Sequence, residues 1–272
     1  MASLWQRDPT LLLLPNIPKP LHGMNPRSVL GGKWWDQERK AAYKSTNYHC
    51  ESCGVHKDNA KFRKVVEGHE VYDTDYVNGK LTYLRTVPLC SLCHEYVHDG
   101  RLLSLLEQGK ITRSHYSSVI QHGDRLLAEA GLRKPSHLER DALIFKNIEE
   151  GRVAFWGDWR LVIDLSPYKT KVLNNRRDKI SPRTTTYIGR GSLYGNPFVI
   201  GTDGDRDSVC DQYEKEVLPT LNLLPLFGRN VVCYCSPARC HGDSIISRLY
   251  RPTEFKPLYK THQEWLEAHA AR

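Results

Sequence analysis

The chain has 272 residues, 40% hydrophobic and 26% charged, an ordinary globular mix able to bury a real core. Its formal net charge of +8 favours polyanionic partners such as nucleic acid. No apolar run is long enough to span a bilayer, and "LLLLP" at 11–15 lacks the basic flank and cleavage site of a signal peptide. The expectation is therefore a cytoplasmic protein with no membrane partner. Its eight cysteines then read as metal ligands or reactive thiols before disulfides.

In chain order, residues 1–33 are rich in Pro and Gly and predict an extended N-terminal arm with no core of its own. "WWDQERKAAYKST" (34–46) places Trp35, Glu38, Arg39 and Ala42 at helical spacing. Cys50-x-x-Cys53 and a Lys-rich loop follow, then "KVVEGHEVYD" with strand character. Asn78-Gly79 sits between apolar and aromatic residues, a hairpin signal. "LCSLCHEYVHDGRLLSLLEQG" predicts a helix running into a second amphipathic stretch. Residues 112–150 read as charged helices, and "WGDWRLVIDLSPY" as a strand closing a first domain over 34–168. Lys+Arg against Asp+Glu runs 13 to 11 over residues 1–100, 15 to 10 over 101–180 and 11 to 10 over 181–272. The excess lies in the middle. Residues 169–185 are polar and basic and predict a linker, with Arg176, Arg177 and Lys179 as contacts to a phosphate backbone. From 186 to 272, strands and helices alternate, an α/β pattern.

Two clusters carry chemistry. Cys50, Cys53, Cys90 and Cys93 form two CxxC knuckles, each of which points both thiolates at one ion, and together they make a tetrahedral structural Zn²⁺ site. His94 and His98 are four apart and share a helix face. His69, on the strand before the hairpin, is placed to meet that face, so the three are candidates for a catalytic divalent ion.

The stretch "CESCG … EGHEVYDTDYVNGKLTYLRTVPLCSLCHEYVHDGR" resembles the HNH endonuclease superfamily, in the subgroup with an LCxxCHxxxH helix, and the resemblance covers about residues 15–168. It implies an α+β, zinc-stabilised ββα-metal domain with a helical extension. It also implies a divalent ion (Mg²⁺, Mn²⁺ or Zn²⁺) near His94, with His98 or His69. In that family a strand histidine deprotonates the water that attacks a phosphodiester. Two positions depart from the pattern. Gly68-His69-Glu70 replaces a His or Asp followed by the basic His, so that either His69 is the base, or it is a ligand and Glu70 the base. The family's Asn falls on Arg85.

The second cluster is "YIGRGSLYGNPFVIGTDGDRDSVCDQY … VVCYCSPARCHGDSIISRL" (187–249), whose glycines allow close backbone approach. Cys240, His241 and Asp243 fall at a helix start, which favours anions and lowers thiol pKa. Three readings stay open: a metal on Cys235, Cys240 and His241; a cysteine nucleophile with His241 as base; or a nucleotide-like ligand held by Arg190, Asn196, Arg206 and Asp243. The segment resembles a phage and bacterial domain of unknown function marked by GR…GNPF and CxCxxxxCHGD, with a small Rossmann-like α/β fold expected by analogy. The leading expectation is a metal-dependent HNH-like endonuclease acting on nucleic acid, with DNA favoured, fused to a nucleotide- or base-handling domain. The alternatives are a non-cutting zinc module that targets a nucleotide-processing enzyme, and a phage interaction protein that blocks a host factor.

Overall fold

The computed structural model describes residues 5–269, apart from a few side chains within 137–148. The chain divides into two compact units, Met1–Val162 with Glu254–Arg272, and Ile163–Thr253.

In the first unit, proline starts rather than prevents helical turns, because its fixed φ suits a first position and its missing N–H would be unpaired there anyway. Pro9–Leu13 is a 3-10 turn in which the Asp8 side chain accepts from the Thr10 N–H. Its Leu11 and Leu12 are buried in one core with Val87, Leu89, Tyr96 and the knuckle cysteines. The Asp8 N–H also donates to the Glu51 carbonyl at 2.8 Å. Of the expected arm over 1–33, residues 1–4 lie outside the described residues, and residues 5–33 are no separate arm: four leucines beside the prolines give the segment an apolar face to bury. Helix α1 (Pro26–Leu30) is closed by an Asn25–Ser28 capping box, and α2 (Gly32–Ser45) buries Trp34, Trp35 and Ala42.

Strands β1 (Val66–Asp75) and β2 (Lys80–Cys90) form an antiparallel hairpin, with a bulge between Val71 and Tyr72. Its turn is fixed by the Asp75 carboxylate, which accepts from the Asn78 backbone N–H and side chain at 2.9 and 2.7 Å. Gly79 takes φ +63°, where a side chain would be strained. Helix α3 (Ser91–Val97) starts where β2 ends, with Cys90 as its N-cap. His98 leaves helical geometry (φ −90°, ψ 46°) before α4 (Asp99–Glu107). Asp99 anchors this joint, since Lys134 and Arg140 pair with it at 3.2 and 2.8 Å. Helix α5 (Arg113–Glu129) packs on α3 at Gly123, where a Cβ would fall 2.2–2.4 Å from the Tyr96 ring. Helix α6 (His137–Glu149) and β3 (Arg160–Ile163) follow.

In the second unit, β4 (Val172–Asn174), β5 (Thr185–Tyr187) and β6 (Asn230–Cys233) form a parallel sheet in the order β4-β6-β5. Between β5 and β6 lies α7 (Arg206–Gln212), and α8 (His241–Leu249) follows β6. The stretch expected as a basic linker therefore carries β4 and the start of β5. Its apolar Val172-Leu173 pair, set among charged residues, supplies the side chains of β4. The chain returns to the first unit with β7 (Thr253–Phe255) and α9 (His262–His269), and β7 completes a sheet of order β1-β2-β3-β7 among the described residues. Residues 254–272, expected in the C-terminal domain, belong to the first unit. The whole is mixed α/β. No helix among the described residues is long and apolar enough to cross a membrane.

Candidate metal centres

The four knuckle cysteines converge, with ligand atoms within 4.8 Å of one another. The first knuckle is a turn in which Gly54 donates to the Cys50 carbonyl at 2.8 Å, with Gly54 at φ +82°. The second lies at the β2–α3 junction. Cys50, Cys90 and Cys93 are buried, and Cys53 is 3.7 Å from Cys90 between sulfurs. His122 of α5 sets its Nε2 3.4 Å from the Cys93 sulfur, as an outer partner to a thiolate would. Burial opposes ionisation of Cys50, but hydrogen bonds from Cys53, Cys90 and Cys93 carry its thiol well below the usual value. Four converging sulfurs, three of them buried, fit a thiolate-binding cation, and the set could hold a metal ion.

The histidines form a second group. His69 of β1, His94 of α3 and His98 at the α3–α4 joint bring their ring nitrogens within 4.8 Å of one another. Ring centroids are 5.4 Å apart for His69–His94, 4.9 Å for His69–His98 and 4.8 Å for His94–His98. His69 is 7% exposed, and its Nδ1 is buried with no hydrogen-bond partner. Burial, then the neighbouring His98 and His94, push His69 down to about 3. Burial likewise brings His94 and His98 to about 4, with Arg101 adding to both. The three rings are therefore neutral near pH 7 and keep lone pairs for a metal. An orphaned buried imidazole nitrogen facing two more imidazoles fits a divalent ion.

Strand alternation decides which neighbours serve this group. Glu67 and His69 share the face of β1 turned to α3, and Glu67 Oε2 lies 3.6 Å from His94 Nδ1. Glu70 is on the opposite face, among Leu14, Tyr72 and Leu81, and burial pushes its carboxyl up. Glu70 is thus not the base for this group, contrary to one of the two sequence readings. Gly68 also faces away: a Cβ there would sit 3.1 Å from Arg39 Cβ and Trp35 Cζ2, so a ligand at that position would run into α2. Arg85 pairs with Glu51 at 2.6 Å and braces the first knuckle. Sequence reasoning missed Glu67, although counting two back from His69 finds it. It also missed Arg63 and Arg101, whose charges act on His94.

In the second unit, Cys233, Cys240 and His241 bring their ligand atoms within 4.8 Å of one another. Cys233, not Cys235, joins this group. Cys235 lies two residues beyond Cys233, just past the end of the strand, and its sulfur is 3.7 Å from that of Cys233. Cys235, Arg190, Asn196 and Arg206 line an adjacent cavity of about 350 Å³ together with the trio. Two expected ligand-binding residues are instead occupied within the fold. Asn196 donates to the Val209 carbonyl and accepts from the Phe198 N–H, both at 2.9 Å, which ties the glycine-rich loop to α7. Asp243 accepts from the Cys240 N–H at 2.9 Å as part of the α8 capping box. Arg176, Arg177 and Lys179 are exposed just after β4, with Arg176 5.4 Å above the Tyr234 ring.

A mixed α/β protein with three cysteine and histidine groups among the described residues able to hold metal ions is the class that this geometry defines. Residues 173–251 match the domain of unknown function DUF4326. The chain is also 32% identical over 76 residues to the "uncharacterized 12.4 kDa protein in nrdA-td intergenic region" of Enterobacteria phage T4, covering 24% of this chain and 68% of the phage protein. Through its second unit the chain belongs to this phage-related family. No solved structure matches it.

Proposed function

We propose that the first unit is a metal-dependent nuclease of the ββα-metal type, hydrolysing phosphodiester bonds in nucleic acid, with DNA the first substrate to test. The observation that carries this reading is the convergence of His69, His94 and His98, buried and neutral, on a hairpin–helix unit fastened by four cysteines. The cysteines hold a structural Zn²⁺, since four thiolates leave it no open position. The histidines hold a second divalent ion, and imidazole donors favour Zn²⁺ and other transition ions over Mg²⁺. Bound there, such an ion would act as a Lewis acid toward a phosphodiester oxygen.

The chain's own residues supply the rest. Glu67 steadies the His94 ring and takes the proton of the attacking water. Arg63 and Arg101 attract the phosphate, and the net charge of +8 favours the same partner. The test is nicking of supercoiled plasmid, and cleavage of single-stranded DNA and RNA, with Zn²⁺, Mn²⁺ or Mg²⁺ added in turn. Cleavage is expected with at least one ion. It is expected to vanish in His69→Ala and His94→Ala while the zinc on the cysteines stays bound. A folded, zinc-loaded protein that cuts none of these substrates would replace this reading with the non-cutting zinc module.

A further inference from the structure

The second unit carries a site that the nuclease reading leaves unused. Cys233 ends β6, and Cys240 and His241 open α8, so strand and helix deliver the three side chains to one point. His241 is 5% exposed, and its Nε2 lies 2.8 Å from the Ile188 carbonyl. A carbonyl only accepts, so Nε2 carries the proton and Nδ1 keeps its lone pair. That Nδ1 is 3.6 Å from the Cys240 sulfur. A metal-binding histidine is usually held in this way, with its far nitrogen donating to a backbone carbonyl. The Gly242 N–H donates to the Cys240 sulfur at 3.4 Å, which fixes that sulfur at the start of α8.

Two thiolates and one imidazole are a donor set for Zn²⁺, and three protein ligands leave one position free. All three residues line the cavity of about 350 Å³. Arg190 and Arg206 line it too: each makes a long bond of 3.4 Å to a carbonyl, Arg206 also reaches the Cys235 thiol, and neither has an ion pair among the described residues. Arg239, also on the wall, is already paired with Asp207 and Asp211. We infer that Cys233, Cys240 and His241 hold a Zn²⁺ whose fourth position opens into this cavity. There it takes an anionic ligand drawn in by Arg190 and Arg206.

The experiment uses the full chain with His94→Ala, so that the histidine group of the first unit does not contribute and the nuclease reading can fail or stand separately. Loaded with Cd²⁺, this protein is expected to give two cadmium NMR resonances, one from the four-cysteine centre and one from the second unit. Cys240→Ser keeps an oxygen able to cap α8. It is expected to remove the second resonance and one Zn²⁺ per chain, and to leave the first resonance in place. His241→Gln, which can still donate to Ile188, is expected to do the same. Inorganic phosphate is expected to shift the second resonance and not the first. A single resonance before mutation, or zinc content unchanged by both substitutions, overturns the metal assignment. A second resonance indifferent to phosphate overturns the open anion-binding position.

Discussion

Glu67→Gln and Glu70→Gln make a paired test of which carboxylate serves the histidines. The two residues are three apart on β1 and face opposite ways. Only Glu67 reaches the group, at 3.6 Å from His94 Nδ1, while Glu70 lies among Leu14, Tyr72 and Leu81. Glutamine keeps the shape of glutamate and removes its charge and basicity. If Glu67 takes the proton of the attacking water, its loss should slow cleavage by about 10²–10⁴-fold. If it only holds the His94 ring, metal affinity should fall by about 10–100-fold. Plasmid nicking measured across a metal titration separates the two, because saturating metal restores a loss of affinity and not a loss of the base. The expectation is a slow Glu67→Gln enzyme even at saturating metal, beside Glu70→Gln at the wild-type rate. A Glu70→Gln enzyme as inactive as His94→Ala, with Glu67→Gln unaffected, would sink the assignment of faces.

Removing zinc from the four-cysteine centre with a strong chelator should lower the melting temperature of the first unit, and Zn²⁺ should restore it, because a structural site contributes its binding energy to folding. Cys93→Ser should mimic the chelated state, and a melting temperature indifferent to both would argue against the staple. Gly123→Ala should destabilise despite alanine's better helix propensity of about 1 kcal/mol. The added Cβ meets the Tyr96 ring at 2.2–2.4 Å, and overpacking of this kind costs about 1–3 kcal/mol. Urea unfolding reads the balance, and a stabilised variant would contradict the α3–α5 packing. Burial lowers the pKa of His22 below 6.5, so the unfolded chain binds a proton there more readily than the folded one. Stability from this group is present above pH 6.5 and is lost as pH falls through the folded value. His22→Gln should lose less stability than the wild type between pH 7 and 5, and parallel curves would refute this.

The local chemistry of the first unit was legible because it is written in short spacings. Cys-x-x-Cys twice, His at an interval of four, and Asn-Gly between strands each fix a turn or a helix face within a few residues, and the cysteines and histidines do converge. What the spacing could not convey was direction. Adjacency in sequence makes Glu70 one of two candidates for the base, yet the period-two pleat sends adjacent side chains to opposite faces and makes Glu67 the neighbour. Direction also decides Asn196, expected to hold a ligand, whose amide is spent on Val209 and Phe198. The errors at larger scale have a different origin. Composition marked residues 1–33 as an arm and 169–185 as a linker because proline and charge dominate them. Burial, however, depends on where the few apolar residues fall, and Leu11, Leu12, Val172 and Leu173 fall where a core or a sheet can take them. The cavity of the second unit was the least legible feature. Its trio joins the end of a strand to the start of a helix, and only the parallel pairing of β4, β5 and β6 brings Ile188 to the ring of His241 and so decides which nitrogen faces the thiols.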